Sequence, residues 1–332
     1  MKLIVQIPCL NEAETLPATV RDIPRTIPGI DTVEILVIDD GSTDRTVAVA
    51  RELGVEHVVS FKRNRGLGYA MMAGFEEALR LGADIIVNTD GDNQYAGGDI
   101  PKLLAPILAG RAEMVIGDRQ TDAIAHFSPA KRRLQRLGSR VISRLAHVAV
   151  PDVASGFRAY TRFAAMHLNS HGSFDHTVEH TIQAGHNRWA VEVVPIGTNP
   201  KARESRLFDN IGEFVVRSGL ISLRTYAKYR ALTMFSAAGA ISFAAGVVLG
   251  LRFVWIYLFG QTSELHVQSL ILAAILLLAG FQMVLTGVVA DLIGTNRALL
   301  EDMAARVKEM EMRAREGGDA KPSGRPPGGD RP

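Results

Sequence analysis

Over residues 3–118, short apolar runs alternate with stretches of helical spacing. LIVQIP, EILVID, HVVSF, DIIVNTD and MVIGD have the length and branched aliphatic content of buried strands. Helices are predicted near Glu14–Ile23, Asp44–Leu53, Gly68–Leu81 and Ile100–Ala109. Strands joined by helical crossovers predict an α/β protein with a mostly parallel sheet, and WAVEVVPIGT (189–198) is expected to follow that sheet. Ligands of open α/β sheets sit outside the carboxyl ends of the strands, so polar residues there are the first candidates for binding.

The pattern changes after residue 230. Ala231–Leu251 runs 21 residues without a charge and Val267–Val289 runs 23, each long enough to cross a bilayer core of about 30 Å as a helix. A pair of buried core helices is the alternative. The aromatic FVWIYLFG after Arg252 would lengthen the first span or form its interfacial belt. Arg217, Arg224, Lys228 and Arg230 precede the first span, and Arg297, Arg306, Lys308, Arg313 and Arg315 follow the second, whereas the connecting QTSELH has no Lys or Arg. The positive-inside rule then puts both termini in the cytosol. Pro8 and Glu12 come too early for a signal peptide, so the N-terminal region is expected to stay on the cytosolic face of an inner membrane.

Composition narrows the chemistry. The net charge of +2 over 332 residues provides no global basic field, which argues against nucleic acid as a partner. With Cys9 alone, no disulfide framework or cysteine-based metal site can form. His176 and His180 have the i, i+4 spacing of a metal pair, but without a third ligand they read better as a polar helix face. NRGLGYA (64–70) lacks the third glycine of a dinucleotide fingerprint, since Met71 stands there; it is expected to open the next helix and line a donor pocket.

Two acidic turns remain. The second strand ends in Asp39-Asp40-Gly41-Ser42-Thr43-Asp44, where Gly41 permits a sharp turn and Ser42 or Thr43 can cap the next helix. Paired carboxylates in a turn repel, which suggests hydrogen bonds to a base or ribose. The fourth strand ends in Asn88-Thr89-Asp90-Gly91-Asp92-Asn93-Gln94. Asp90 and Asp92, with the Gln94 carbonyl, offer an all-oxygen site for Mg²⁺ or Mn²⁺, completed by diphosphate and water.

Basic residues gather elsewhere. From Arg119 to Arg144 there are seven Lys or Arg against one acid, Asp122. Ser128-Pro129 is expected to start a helix with an apolar face and, beside it, a basic stripe of Arg133, Arg136, Arg140 and Arg144. Such a stripe is either a solvated face or a surface that meets an anionic leaflet and a lipid phosphate. Arg119 is the better single candidate for that phosphate, because a guanidinium fork matches two of its oxygens. Lys201, Arg203 and Arg206 of KARESR could cover a donor diphosphate and touch headgroups together.

Taken in order, IPCLNE, DDGSTD, NRGLGYA, TDGDNQ, IGDR and DVASGFR resemble the family-2 inverting glycosyltransferases, and more narrowly the dolichol- or polyprenol-phosphate sugar transferases. The resemblance implies a GT-A fold, a Rossmann-like, mostly parallel sheet that binds nucleotide-diphosphate sugars. It implies donor binding by Pro8, Leu10, Asn11, Glu12, Asp39, Asp40, Asp90, Gly91, Lys201 and Arg206, and a metal at Asp90, Asp92 and Gln94. It implies acceptor-phosphate contacts from Arg119, Arg133, Arg136, Ser139 and Arg203, with Asp92 and Arg119 as catalytic residues. Departures from the family pattern include Tyr95, where a histidine is usual, and Asp118, where a serine is usual.

The organisation expected on this basis is a catalytic domain at 1–207, juxtamembrane amphipathic helices at 208–230, two transmembrane helices at 231–290, a cytosolic helix at 291–315 and a disordered tail at 316–332. Leu300, Met303, Val307 and Met310 have a/d-like spacing, a weak signal for a homo-oligomer. The expected reaction moves a sugar from a UDP- or GDP-linked donor to polyprenyl phosphate. A transferase acting on a polysaccharide or glycolipid hydroxyl and a non-catalytic nucleotide-binding regulator are the alternatives.

Overall fold

The computed structural model describes residues 1–120, 138–140, 142–144, 146, 148–168, 176–200, 231–259 and 267–319. These fall into two compact units, one built on the N-terminal sheet and one on the C-terminal helix pair.

The first unit is a seven-stranded sheet. Its strands are β1 (Lys2–Cys9), β2 (Thr32–Asp39), β3 (His57–Ser60), β4 (Ile85–Asn88), β5 (Met114–Asp118), β6 (Arg158–Thr161) and β7 (Val191–Pro195), in the order β3-β2-β1-β4-β6-β5-β7. All pairs are parallel except those made by β6, which runs antiparallel to β4 and β5. The five predicted strands are present. Val191–Pro195 does not follow the sheet but closes its edge beside β5. The sequence pattern missed β6 because Arg158 interrupts its apolar run, and only its neighbours make that residue buriable.

Helices α1 (Leu16–Asp22), α2 (Thr46–Glu52), α3 (Leu67–Arg80) and α4 (Ile100–Leu108) lie within a few residues of their predicted positions, and α5 (Arg162–His167) and α6 (His176–His186) follow β6. Alternation along the strands separates two faces. Leu3, Val5, Ile7, Ile35, Val37, Ile85, Val87, Val115 and Ala159 join Leu16, Ile100, Leu103 and Leu104 in one fully buried cluster. Gln6, Asn88, Arg158 and Tyr160 alternate with them on the opposite face, where Gln6 Nε2 donates to Met71 Sδ of α3 (3.5 Å) and Phe75 of α3 meets Tyr160 edge-on at 5.0 Å.

Arg158 is fully buried, and its guanidinium donates to the carbonyls of Ser155, Thr177 and Val153 and to Thr181 Oγ1 at 2.7–3.1 Å. These bonds make a buried charge tolerable and pin α6 to the start of β6. His176 and His180 belong to this buried layer and not to a polar face, and Tyr160 Oη lies 3.0 Å from His180 Nδ1.

The C-terminal helices are α7 (Ala231–Phe259), which continues through the aromatic segment, and α8 (Val267–Asp319), one helix of 53 residues covering the second apolar run and the predicted cytosolic helix; the second unit ends within α8, at Leu300. Both are long and apolar enough to cross a membrane, and only 11% and 17% of their most apolar windows is buried. A soluble core pair would be mostly enclosed. Small residues let the backbones approach. A methyl on Gly239 would lie 2.7 Å from the Gly280 carbonyl, and one on Gly246 would lie 3.0 Å from that of Ala273. Ser242 Oγ adds a hydrogen bond across the pair to the Leu276 carbonyl at 2.9 Å.

Candidate active site

Strand register decides where the acidic turns go. β1 pairs with β2 so that Cys9 lies beside Asp39, and with β4 so that Gln6 lies beside Asn88. Asp39-Asp40 and Asp90-Gly91-Asp92 therefore flank the carboxyl end of the same strand. β5 points the same way and brings Asp118 and Arg119 to this rim, while the reversed direction of β6 starts it there, at Gly156-Phe157-Arg158. Five motifs separated along the chain thus meet at one edge.

On the β2 side the residues bind one another closely. Asp39 and Asp40 are both buried. Asp39 accepts from the Ser42 amide (3.0 Å) and Ser60 Oγ (2.7 Å); Asp40 accepts from the Arg65 and Gly66 amides (2.7 and 2.9 Å). Their first role here is to shape loops. Each carboxylate oxygen retains a second acceptor direction for a ligand. Gly41 has φ +76°, and a Cβ there would lie 2.4 Å from the Arg63 carbonyl carbon, so glycine is required twice over. Asn11, at φ 56°, donates its backbone amide to Ser42 Oγ at 2.9 Å and accepts at Oδ1 from the Thr43 amide at 2.8 Å. The Glu12 amide donates to Thr46 Oγ1 and its carboxylate accepts from Thr15 Oγ1. Pro8 is buried in β1 and Leu10 is exposed at its end.

On the β4 side, the Gly91 carbonyl is held by Thr15 and Thr19 Oγ1 at 2.8 and 3.2 Å. Burial, then the charges of Asp92 and Glu12, push the Asp90 carboxyl up to about 7. Burial and the same acidic surroundings push the Cys9 thiol well above its usual range, which leaves it inert. Gln94 Nε2 donates to Asp92 Oδ2, so this side chain orients a carboxylate in addition to offering its oxygen. Negative charge crowded in a half-buried, all-oxygen site suits a hard divalent cation. No cluster of three or more His, Cys, Asp or Glu suited to a metal occurs among the described residues, so a cation would hold only two carboxylates, Asp90 and Asp92, and complete its shell from ligand and water.

Tyr95 was not among the sequence-derived candidates. Its hydroxyl accepts from the Gly156 amide at 2.8 Å, and its ring stacks on Phe157 at 5.2 Å. The signal was its place three residues after Asp92, a position marked only as a departure. Arg119 is the other surprise. Its Nε and Nη2 bind Asp152 Oδ2 and Oδ1 at 2.6 and 2.9 Å, with the side chains 18% and 1% exposed. The fork expected to face a phosphate is thus largely engaged by a carboxylate of the DVASGFR motif. Ser139 is buried, and its Oγ accepts from the Val153 amide at 3.4 Å. Arg133, Arg136, Lys201, Arg203 and Arg206 lie outside the described residues.

A profile of the glycosyl transferase family 2 domain matches residues 4–168. Glycosyltransferase AglJ of Haloferax volcanii is 31% identical over 314 residues, spanning 92% of this chain and 96% of that one. The chain is a family-2 glycosyltransferase. The polyprenol monophosphomannose synthase of Mycolicibacterium smegmatis is 36% identical over 168 residues, which cover 48% of this glycosyltransferase and 62% of that protein. Among solved structures, glucosyl-3-phosphoglycerate synthase from Mycobacterium tuberculosis, in complex with Mn²⁺, UDP and its product, superposes with a TM-score of 0.50 at 21% identity over 67% of this chain and 79% of that one. The GT-A sheet expected from the motifs is therefore the fold of this glycosyltransferase.

Proposed function

We propose that this glycosyltransferase moves a sugar from a nucleoside-diphosphate donor to a polyprenyl phosphate at the cytosolic face of a membrane, in which α7 and α8 anchor it. The observation that supports this reading most is the pair of acidic turns flanking the end of β1, one beside the other across a single strand. Asp39, Asp40 and Asn11 would serve the nucleotide end of the donor, while Asp90 and Asp92 would hold Mg²⁺ or Mn²⁺ at its diphosphate. Such an ion, when bound, neutralises charge on a departing diphosphate. The smaller mannose synthase relative supports the lipid-phosphate acceptor by its name, and the structural neighbour supports the divalent ion by its contents.

A phosphate monoester is already anionic near neutral pH, so one of its oxygens can attack the anomeric carbon without a strong base. The C–O bond to the diphosphate breaks as the new bond forms on the opposite face, which inverts the anomeric centre. Arg119 keeps Nη1 for the incoming phosphate while Asp152 fixes the rest of its guanidinium. Incubating membranes that carry the full chain with labelled UDP- and GDP-sugars and extracting with organic solvent tests the reading. Label in the lipid phase is expected, with a loss of about 100-fold or more in Asp92→Ala. Undiminished transfer by that variant, or label found only in polysaccharide, would overturn it.

A further inference from the structure

Asp92 belongs to a loop in which the next residue, Asn93, adopts a left-handed backbone at φ 58°. Gln94 holds the Asp92 carboxylate, donating its backbone amide to Oδ1 at 3.1 Å and its side-chain Nε2 to Oδ2. The backbone that carries Gln94 is tied in turn to the segment after β7. Asn199 donates its own amide to the Gln94 carbonyl at 2.9 Å. Its side-chain Nδ2 donates to the Tyr95 carbonyl at 3.2 Å, and Asn93 Oδ1 and Asp22 Oδ2 stand 3.4 and 3.5 Å from the same nitrogen. Three acceptors around one NH₂ group decide which end of this amide faces the loop. The segment is fastened independently as well. An antiparallel bridge joins Tyr95 to Thr198, the Ala96 amide donates to the Gly197 carbonyl at 3.4 Å, and the Gly197 amide donates to Asp99 Oδ2 at 2.6 Å. Asn199 therefore bears on the metal loop from a segment that continues the sheet edge at β7.

We propose that Asn199 is a positioning residue for the metal site: it fixes the Asn93–Tyr95 backbone from outside and, through Gln94, sets the Asp92 carboxylate that a divalent cation meets. The inference rests on the reading that Asp90 and Asp92 hold that cation. Its contribution passes through two hydrogen bonds in series, from Asn199 to the loop and from Gln94 to Asp92. Loss of one half-buried side chain then weakens metal binding far more than it weakens the globular unit.

Two variants test this in the full chain in detergent. Asn199→Ala removes the side-chain donor and keeps the backbone amide; Asn199→Asp keeps the size and turns an acceptor toward three oxygens. Mn²⁺ binding in the presence of UDP or GDP, without acceptor, is followed by the loss of the free-ion paramagnetic resonance signal, and transfer is followed against Mn²⁺ concentration. The expected Mn²⁺ affinity is lower by about 10-fold in Asn199→Ala, the low end for an outer hydrogen-bond partner because Asn199 acts one bond further out, and at least as low in Asn199→Asp. The Mn²⁺ needed for half-maximal transfer rises in parallel, and excess Mn²⁺ restores turnover. A purely structural asparagine would instead lower turnover at every Mn²⁺ concentration with the affinity unchanged. That outcome, or parent-like affinity in either variant whatever its melting temperature, overturns the proposal. If the unaltered chain binds no Mn²⁺ with either nucleotide, the metal reading fails and carries this inference with it.

Discussion

Breaking the Arg119–Asp152 pair gives the sharpest test of how the β5 side of the rim is built. Two parallel hydrogen bonds of 2.6 and 2.9 Å join a carboxylate that is 1% exposed to a guanidinium that is 18% exposed. Asp152→Ala leaves a largely enclosed positive charge without its carboxylate. Removing one partner of a buried pair costs about 3–5 kcal/mol, and the partial exposure of Arg119 argues for the lower end, about 3. In a unit of this size about 1 kcal/mol corresponds to roughly 2–4 °C, so the globular unit is expected to melt about 6–12 °C lower. Arg119→Met removes the charge together with its need for a partner, so the double variant Arg119→Met/Asp152→Ala is expected to recover at least half of that loss. The assay is thermal unfolding of the full chain in detergent, followed by Trp189 fluorescence, with the four proteins of the cycle compared. A single variant that melts within about 1 °C of the parent, or a double variant no more stable than Asp152→Ala, would refute the reasoning.

Acid should weaken the first unit through its enclosed histidines. Burial, helped by the Arg158 charge, depresses His176 from 6.5 to about 3, and burial with His176 and Arg158 lowers His180 well below its usual value. The unfolded chain binds protons that the folded chain refuses, so stability is complete above about 6.5 and is lost as pH falls toward 3, by about 2 kcal/mol at pH 5 for His176 alone. Melting temperatures at pH 7 and pH 5 should differ less in His176→Gln than in the parent. In the helix pair, Gly280→Leu drives a side chain into the Gly239 carbonyl. The helical circular-dichroism signal of the full chain in detergent should then be lost at a lower temperature than in the parent.

Much of this was legible along the chain because local physics carried it. β1, β2 and β4 are largely enclosed on both faces and therefore read as predominantly apolar runs, and α3 and α4 read by spacing. Turn chemistry marked the two acidic loops, since Gly41 and Gly91 sit where the backbone must turn or come close. The two long apolar helices were legible from length and absence of charge alone. The first continues through the aromatic segment to Phe259, one of the two readings its sequence allowed; that α8 runs unbroken to Asp319 was not legible, because a charged helix looks like a separate element until backbone hydrogen bonding runs through it.

What local pattern determined, then, was the list of elements and the residues at their ends. Tertiary structure decided which ends share a rim. The order β3-β2-β1-β4-β6-β5-β7 and the reversal of β6 carry Gly156 to Asp90, Asp152 to Arg119 and Tyr95 between them. Hydrogen bonds over separations of 33 and 61 residues leave no periodic trace in a sequence. Arg158 shows the reason most plainly: a charge inside a strand contradicts every local rule, and becomes stable where the Val153 and Ser155 carbonyls before it and the Thr177 carbonyl and Thr181 hydroxyl of α6 close around it.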